Sequence, residues 1–146
     1  MGFRADVRAA AVSLLEGYKT ANPGKLRQVY PARPAIISPP TGFVDSINEG
    51  SIVYTQGPIQ RQPTADIILI QGVFDSKDAT EQQDALVDGF LAYVRANLHE
   101  AGGSTLVTIT SIADIPSYQP DWIRDAPIYY ATSLSLEGLM ISGSLV

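Results

Sequence analysis

Apolar residues recur at three- and four-residue spacing in two stretches of the chain and alternate with polar ones in several others. Phe3, Val7, Ala10, Ala11, Leu14, Leu15 and Tyr18 make one stripe, which predicts an amphipathic helix over residues 3–21. Asn22-Pro23-Gly24 stops it, because Pro23 cannot continue the helix and Gly24 permits a left-handed turn. A short strand over residues 26–30 is expected next. Residues 64–74 read as a central strand, since Ile67-Ile68-Leu69-Ile70 is apolar on both faces. Asp78-Ala79-Thr80-Glu81 fits a capping box, and it opens a second predicted helix running to about Glu100. Leu86, Phe90, Val94 and Leu98 form its stripe, widened by Val87 and Leu91, and Gly102-Gly103 ends it. Val107 and Ile109 then alternate with Thr108 and Thr110 as a strand, with Ile112 starting an exit loop over residues 113–127. A last strand covers residues 128–136, with Ile128, Tyr130, Thr132, Leu134 and Leu136 on one face and Tyr129, Ala131, Ser133 and Ser135 on the other.

Between the first helix and the central strand the pattern changes. Residues 31–63 hold six prolines, and a proline has no amide donor for a central strand, so edges and loops are expected there. Within it, Phe43–Ile47 and Ser51–Gln56 flank Asn48-Glu49-Gly50, a signal for a hairpin with a three-residue loop. The expectation is an α+β fold: a single mixed sheet with two helices packed on one face, in the order α-β-ββ-β-α-β-β, with a projecting Pro-flanked hairpin. It forms one domain over residues 1–146, made of the N-terminal helix (1–21), the Pro-rich hairpin region (31–63), a sheet–helix core (64–136) and a C-terminal tail (137–146).

Composition agrees with a single globular domain. The 146 residues are 45% hydrophobic and 17% charged, and a chain of this length buries roughly 70% of its unfolded surface. No cysteine is present, which removes disulfides and thiolate metal sites. No apolar run approaches the ~20 residues that span a bilayer. The opening Met1-Gly2-Phe3-Arg4-Ala5-Asp6 is too charged for a signal peptide, and Asp6 stands where a myristoylation motif needs Ser or Thr. A soluble protein made in the cytoplasm, with no membrane partner, is expected.

The net charge of −5 is unevenly spread. Residues 1–35 carry Arg4, Arg8, Lys19, Lys25, Arg27 and Arg33 against Asp6 and Glu16, a balance of +4, and the rest stands at −9. An acidic body argues against a duplex-binding surface, which needs clustered cations. The basic segment suits an acidic partner, a neighbouring subunit, or simply a solvated helix face.

Candidate chemistry is sparse. The sole histidine, His99, has no nucleophile or orienting carboxylate marked beside it. Ser104 follows Gly102-Gly103, but no G-x-S-x-G elbow, P-loop or G-x-G-x-x-G motif occurs. Asp75, Asp78, Glu81, Asp84 and Asp88 could offer oxygens to a hard cation. Carboxylates are also what a helix N-terminus and a solvated face favour, and the spacing lacks the glycine turn of an EF-hand. No catalytic residue, metal site or cofactor is assigned. Tyr118, Trp122, Tyr129 and Tyr130 suit either a contact surface or a plug at the end of a sheet.

The strand Ala65-Asp66-Ile67-Ile68-Leu69, the helix centred on Leu86-Val87-Asp88-Gly89-Phe90 and the late Tyr129-Tyr130-Ala131-Thr132 strand follow the amphipathic N-terminal helix and Pro-rich hairpin region. In that order the chain resembles the tail terminator (minor tail, or tail-completion) proteins of long-tailed bacteriophages. The resemblance spans most of the chain as an order of elements, through loose motifs. It implies a non-enzymatic virion protein of the tail and neck that forms a homohexameric ring at the head-proximal end of the tail tube. There it would stop tube polymerisation and dock the head-completion (stopper) protein, with DNA passing through its lumen without specific binding. The candidate contacts are Arg4, Arg8, Phe43, Ile47, Tyr54, Tyr118, Trp122, Arg124, Leu139 and Ile141, from the basic helix, the hairpin, the aromatic loop and the tail. Competing readings are another neck component such as a stopper or joining protein, a small hydrolase or ligand-binding domain, and a monomeric interaction module.

Overall fold

The structure, a computed structural model, describes residues 3–53, 59–73, 78–97, 105–124 and 127–142. The elements are α1 (Phe3–Ala21), β1 (Gln28–Tyr30), β2 (Thr41–Val53), β3 (Ile59–Val73), α2 (Ala79–Asn97), β4 (Thr105–Tyr118) and β5 (Tyr129–Ser142). Among the described residues the strands form one five-stranded sheet in the order β1-β2-β3-β5-β4. β1 runs parallel to β2 and every other pair is antiparallel, so the sheet is mixed and the fold is α+β. β3 is its centre, as the two-sided apolar run predicts.

Both helices lie on the same face. Val7, Ala10, Ala11, Leu14, Leu15 and Tyr18 of α1 and Leu86, Val87, Phe90, Leu91 and Val94 of α2 are buried against Val44, Ile47, Ala65, Ile67, Leu69, Leu134 and Leu136. α1 ends as expected: Asn22 N donates to the Tyr18 carbonyl at 2.9 Å, and Gly24 takes φ 88°, the left-handed region that favours glycine. At the start of α2 the Asp78 carbonyl accepts the first helical bond, from Gln82 N at 3.0 Å, which is the N-cap position. The helices meet through reciprocal glycine contacts: the Tyr18 ring of α1 lies over Gly89 of α2, and the Tyr93 ring of α2 over Gly17 of α1. Tyr18 also meets Phe90 and Tyr93 edge-on, with ring centroids 5.6 and 5.9 Å apart.

The opposite face of the sheet carries a second, smaller core of Ile37, Phe43, Ile68, Ile70, Tyr129 and Ala131. Successive side chains of a strand point to opposite faces, so Ile67 and Leu69 serve the helices while Ile68 and Ile70 serve this layer.

Three sequence expectations change. The turn is not at Asn48-Glu49-Gly50, because β2 runs through it; the segments expected as two hairpin strands are one, and the reversal falls between Val53 and Ile59. The physical reason is visible in the register. Asn48 faces Thr64 and Ser51 faces Gln62, so Glu49 and Gly50 bulge opposite Pro63. A proline that cannot donate is thereby accommodated in a central strand, where loops and edges alone were expected. Next, residues 113–118 continue β4 instead of opening a loop. Pro116 is tolerated because β4 is an edge strand and its register with β5 shifts between Ile115 and Tyr118. Finally, β5 begins at Tyr129 rather than Ile128, which is 43% exposed, and it absorbs the tail as far as Ser142.

Candidate functional site

Two proline-containing segments close over the second face. Residues 31–40, joining β1 to β2, and residues 119–124, following β4, meet at Trp122. Its indole Nε1 donates to the Pro34 carbonyl at 2.9 Å, and its ring meets Phe43 and Tyr118 edge-on at 6.1 and 6.2 Å. The Arg33 guanidinium stands 4.7 Å from the Trp122 ring centroid and donates through Nε to Asp45 Oδ1 at 2.8 Å. With the Arg33 side chain 55% exposed, water screens both contacts and neither adds much stability by itself. Their arrangement orders the proline-rich segment on the sheet. It is a clamp.

The ten candidate contacts are distributed as follows. Arg4 and Arg124 are exposed. Arg8 is half-buried and donates through Nη1 to the carbonyls of Pro31 and Val44, so it ties α1 to the sheet edge and does not face outward as expected. Phe43 is fully buried and Ile47 nearly so, in the second and first cores respectively, which corrects both from contact surface to core. They were expected on a projecting hairpin, but the bulge at Asp45 re-phases β2, and its first half faces the two cores. Tyr118 and Trp122 are half-buried together in the clamp. Leu139 and Ile141 lie in β5, opposite Thr105 of β4 and Gln60 of β3. Tyr54 falls outside the described residues, as do Asp75, His99 and Ser104.

Asp78, Glu81, Asp84 and Asp88 are exposed along α2, and no group of three or more metal-capable side chains comes together among the described residues. Polar side chains instead tie strands together. On the face away from the helices, the Asp66 carboxylate accepts from Ser46 Oγ at 2.7 Å and from Ser135 Oγ at 2.6 Å, bridging β2, β3 and β5. On the helix side, Gln83 is fully buried. Its Oε1 accepts from Gln71 N at 2.9 Å, and its Nε2 donates to the Leu69 carbonyl at 2.9 Å and to Thr132 Oγ1 at 3.0 Å. Thr132 Oγ1 then donates to Asp114 Oδ1 at 2.9 Å, continuing the path to β4. Gln83 is not among the residues singled out from the sequence; the one signal for it is its place as a polar residue on the apolar stripe, one turn before Leu86 and Val87. Nothing in the spacing of Arg33 and Asp45 announces their pairing. A shallow depression lined by Gly24, Lys25, Gln71, Gln82, Ala85 and Leu86 offers one cation and two amides.

Tyrosines carry the clearest electrostatic shifts. Burial, reinforced by the Asp45 charge, pushes the Tyr118 phenol up to about 12, and burial raises Tyr18 and Tyr129 as well. In the unfolded chain these phenols ionise near pH 10, so between about pH 10 and 12 the native state holds more protons. Stability present below pH 10 is therefore lost as pH rises through that window. Urea midpoints at pH 9, 10 and 11 should fall steadily, and Tyr118→Phe should flatten the decline. An unchanged slope in that variant would remove Tyr118 from the account.

Compared with known proteins, the chain matches no protein-family model and no curated protein. Among the described residues, no helix is long and apolar enough to cross a membrane.

Proposed function

We propose that this chain is a structural virion protein that closes the head-proximal end of a long-tailed phage's tail tube as a ring. It stops tube polymerisation there and offers its other face to the head-completion protein. The observation that carries the reading is the reach of the sheet. Strands of 13–15 residues extend ~43–50 Å, whereas each 19-residue helix covers ~28 Å. A sheet that outruns its helix layer has far strand ends beyond the reach of the helices, which suits a protein whose far strands lie against neighbours. An interface of that kind buries on the order of 800 Å² per partner.

The distribution of polar groups supports the same reading. Gln83, Thr132, Asp66, Arg8, Arg33 and Asp45 are engaged in holding strands and segments together. The exposed cations Lys25 and Arg27 and the exposed carboxylates of α2 give one copy surfaces that carry both signs of charge. Such surfaces orient a neighbour more than they add affinity. The neck and tail of the virion would be the site of action, and DNA would pass the acidic body with little counterion release to hold it.

Electron microscopy of the protein mixed with purified tail tubes tests this. The expected result is sixfold density confined to one tube end, with tube length fixed. Decoration along the whole tube, or no binding to tubes, would overturn it.

A further inference from the structure

The two sides of the sheet are finished differently. On the β2 side, β1 pairs with Thr41–Phe43. Immediately beyond, Arg8 donates to the Val44 carbonyl at 3.4 Å and Arg33 holds Asp45, so two cations close the next stretch. From Ser46 onward, no strand pairs with that side of β2 among the described residues.

β4 forms the other side, and among the described residues no strand pairs with its outer edge. Thr110, Ser111, Ile112, Ala113 and Asp114 are all exposed, Ile112 at 48%. The devices that protect natural edges are charge (lysine above all), proline and bulges. β4 contains no lysine or arginine, and its proline and register shifts fall outside Ser111–Ile115. Within that stretch the register with β5 is unbroken, from Ser111 opposite Ser135 to Ile115 opposite Ala131. Outward amide and carbonyl groups are therefore presented at the regular spacing another strand requires. The only charge is Asp114.

We propose that the Ser111–Ile115 edge of β4 is the joint between neighbouring copies of this chain. It pairs with the open side of the next copy's β2, beyond Ser46, so that the sheet continues from one subunit into the next. A second copy is the partner because one sheet carries both halves of the joint at its opposite sides. That is a head-to-tail interface, which closes into a ring when the rotation per subunit divides a full turn. The inference rests on the ring reading above. Charge narrows the register: like charges directly opposite are destabilising, so pairings that set Asp114 across from Glu49 are disfavoured.

The chain has no cysteine, so Ala113→Cys and Ser51→Cys each introduce a lone thiol on one of the two strands of the joint. Treated with a short bifunctional maleimide, a mixture of the two variants is expected to give cross-linked dimers, whereas neither variant alone does. The double variant is expected to give a ladder ending at the ring. Self-linking of Ala113→Cys alone would overturn the proposal in favour of a twofold β4–β4 contact. An absence of cross-links in protein that light scattering shows to be assembled would overturn it too, as would a monomer at every concentration and on tubes. A sixfold cap on tubes without cross-links would keep the ring and discard the β4 joint. A cross-linked ladder with no tube-end binding would keep the joint and discard the terminator function.

Discussion

Replacing Gln83 with alanine is expected to lower stability by about 2–5 kcal/mol, because the part-buried Gln71 amide and the buried Leu69 carbonyl each lose a hydrogen bond, at ~1–3 kcal/mol apiece. The register of β3 against β5 shifts between Ile70 and Gly72, which takes Gln71 out of the ladder. The Gln83 side-chain amide fills that gap from α2. It accepts from Gln71 N and donates to the Leu69 carbonyl and Thr132 Oγ1. A carboxylate can accept but cannot donate, so Gln83→Glu should be comparably destabilised at neutral pH. It should recover in part as the carboxyl protonates in acid. Thr132→Val removes one acceptor of Gln83 Nε2 together with the onward link to Asp114, but leaves the two bonds of Gln83 to the backbone, and should cost about 1–2 kcal/mol. Urea denaturation of the three variants measures the series. A loss below about 1 kcal/mol for Gln83→Ala would show that something else closes the bulge.

The second large effect is expected at Gly89, in contrast with Gly17. A methyl group at Gly89 would sit 2.5 Å from the Tyr18 hydroxyl, and one at Gly17 would meet the Tyr93 ring. Alanine gains about 1 kcal/mol of helix propensity at either position. What differs is the neighbour's freedom to move. Tyr18 is 2% exposed and held edge-on by Phe90 and Tyr93, so it cannot retreat without disturbing the main core. Tyr93 is half-buried and can swing toward solvent. Overpacking of a fixed core costs roughly 1–3 kcal/mol, so Gly89→Ala should destabilise by about 1–2 kcal/mol net. Gly17→Ala should be close to neutral. Thermal melts of the two variants would measure the contrast. Equal melting temperatures would mean that the helices adjust as a pair.

The helices and the central strand were the most legible parts. Each apolar position of the α1 stripe from Val7 to Tyr18 is buried, and so are those of α2 from Leu86 to Val94. Ile67–Ile70 sits at the middle of the sheet, as its two-sided apolarity requires. The edges were harder to read. Asn48-Glu49-Gly50 carries the residues of a turn, but the same residues suit a bulge, and only Pro63 on the opposite strand decides between them. Residues 113–118 contain Asp114 and Pro116, which read as loop until β4 is known to be an edge. Phe43 and Trp122 illustrate the site itself. Aromatic residues in proline-rich segments suit a contact surface, and the fold instead places Phe43 in a core that local pattern does not reveal.

Periodicity, capping residues and the uneven charge of this chain are local properties, settled within a few residues along the backbone. They determined where the helices lie, which strand is central and which segments are basic or acidic. The tertiary structure alone decided the second core, the Arg33–Asp45–Trp122 clamp, the reach of Gln83 into the β3 bulge and the two unlike sides of the sheet. Each of these joins residues from separate elements, through a register set by which neighbours can satisfy a backbone amide. Such a choice is made between strands, and no single stretch of sequence contains it.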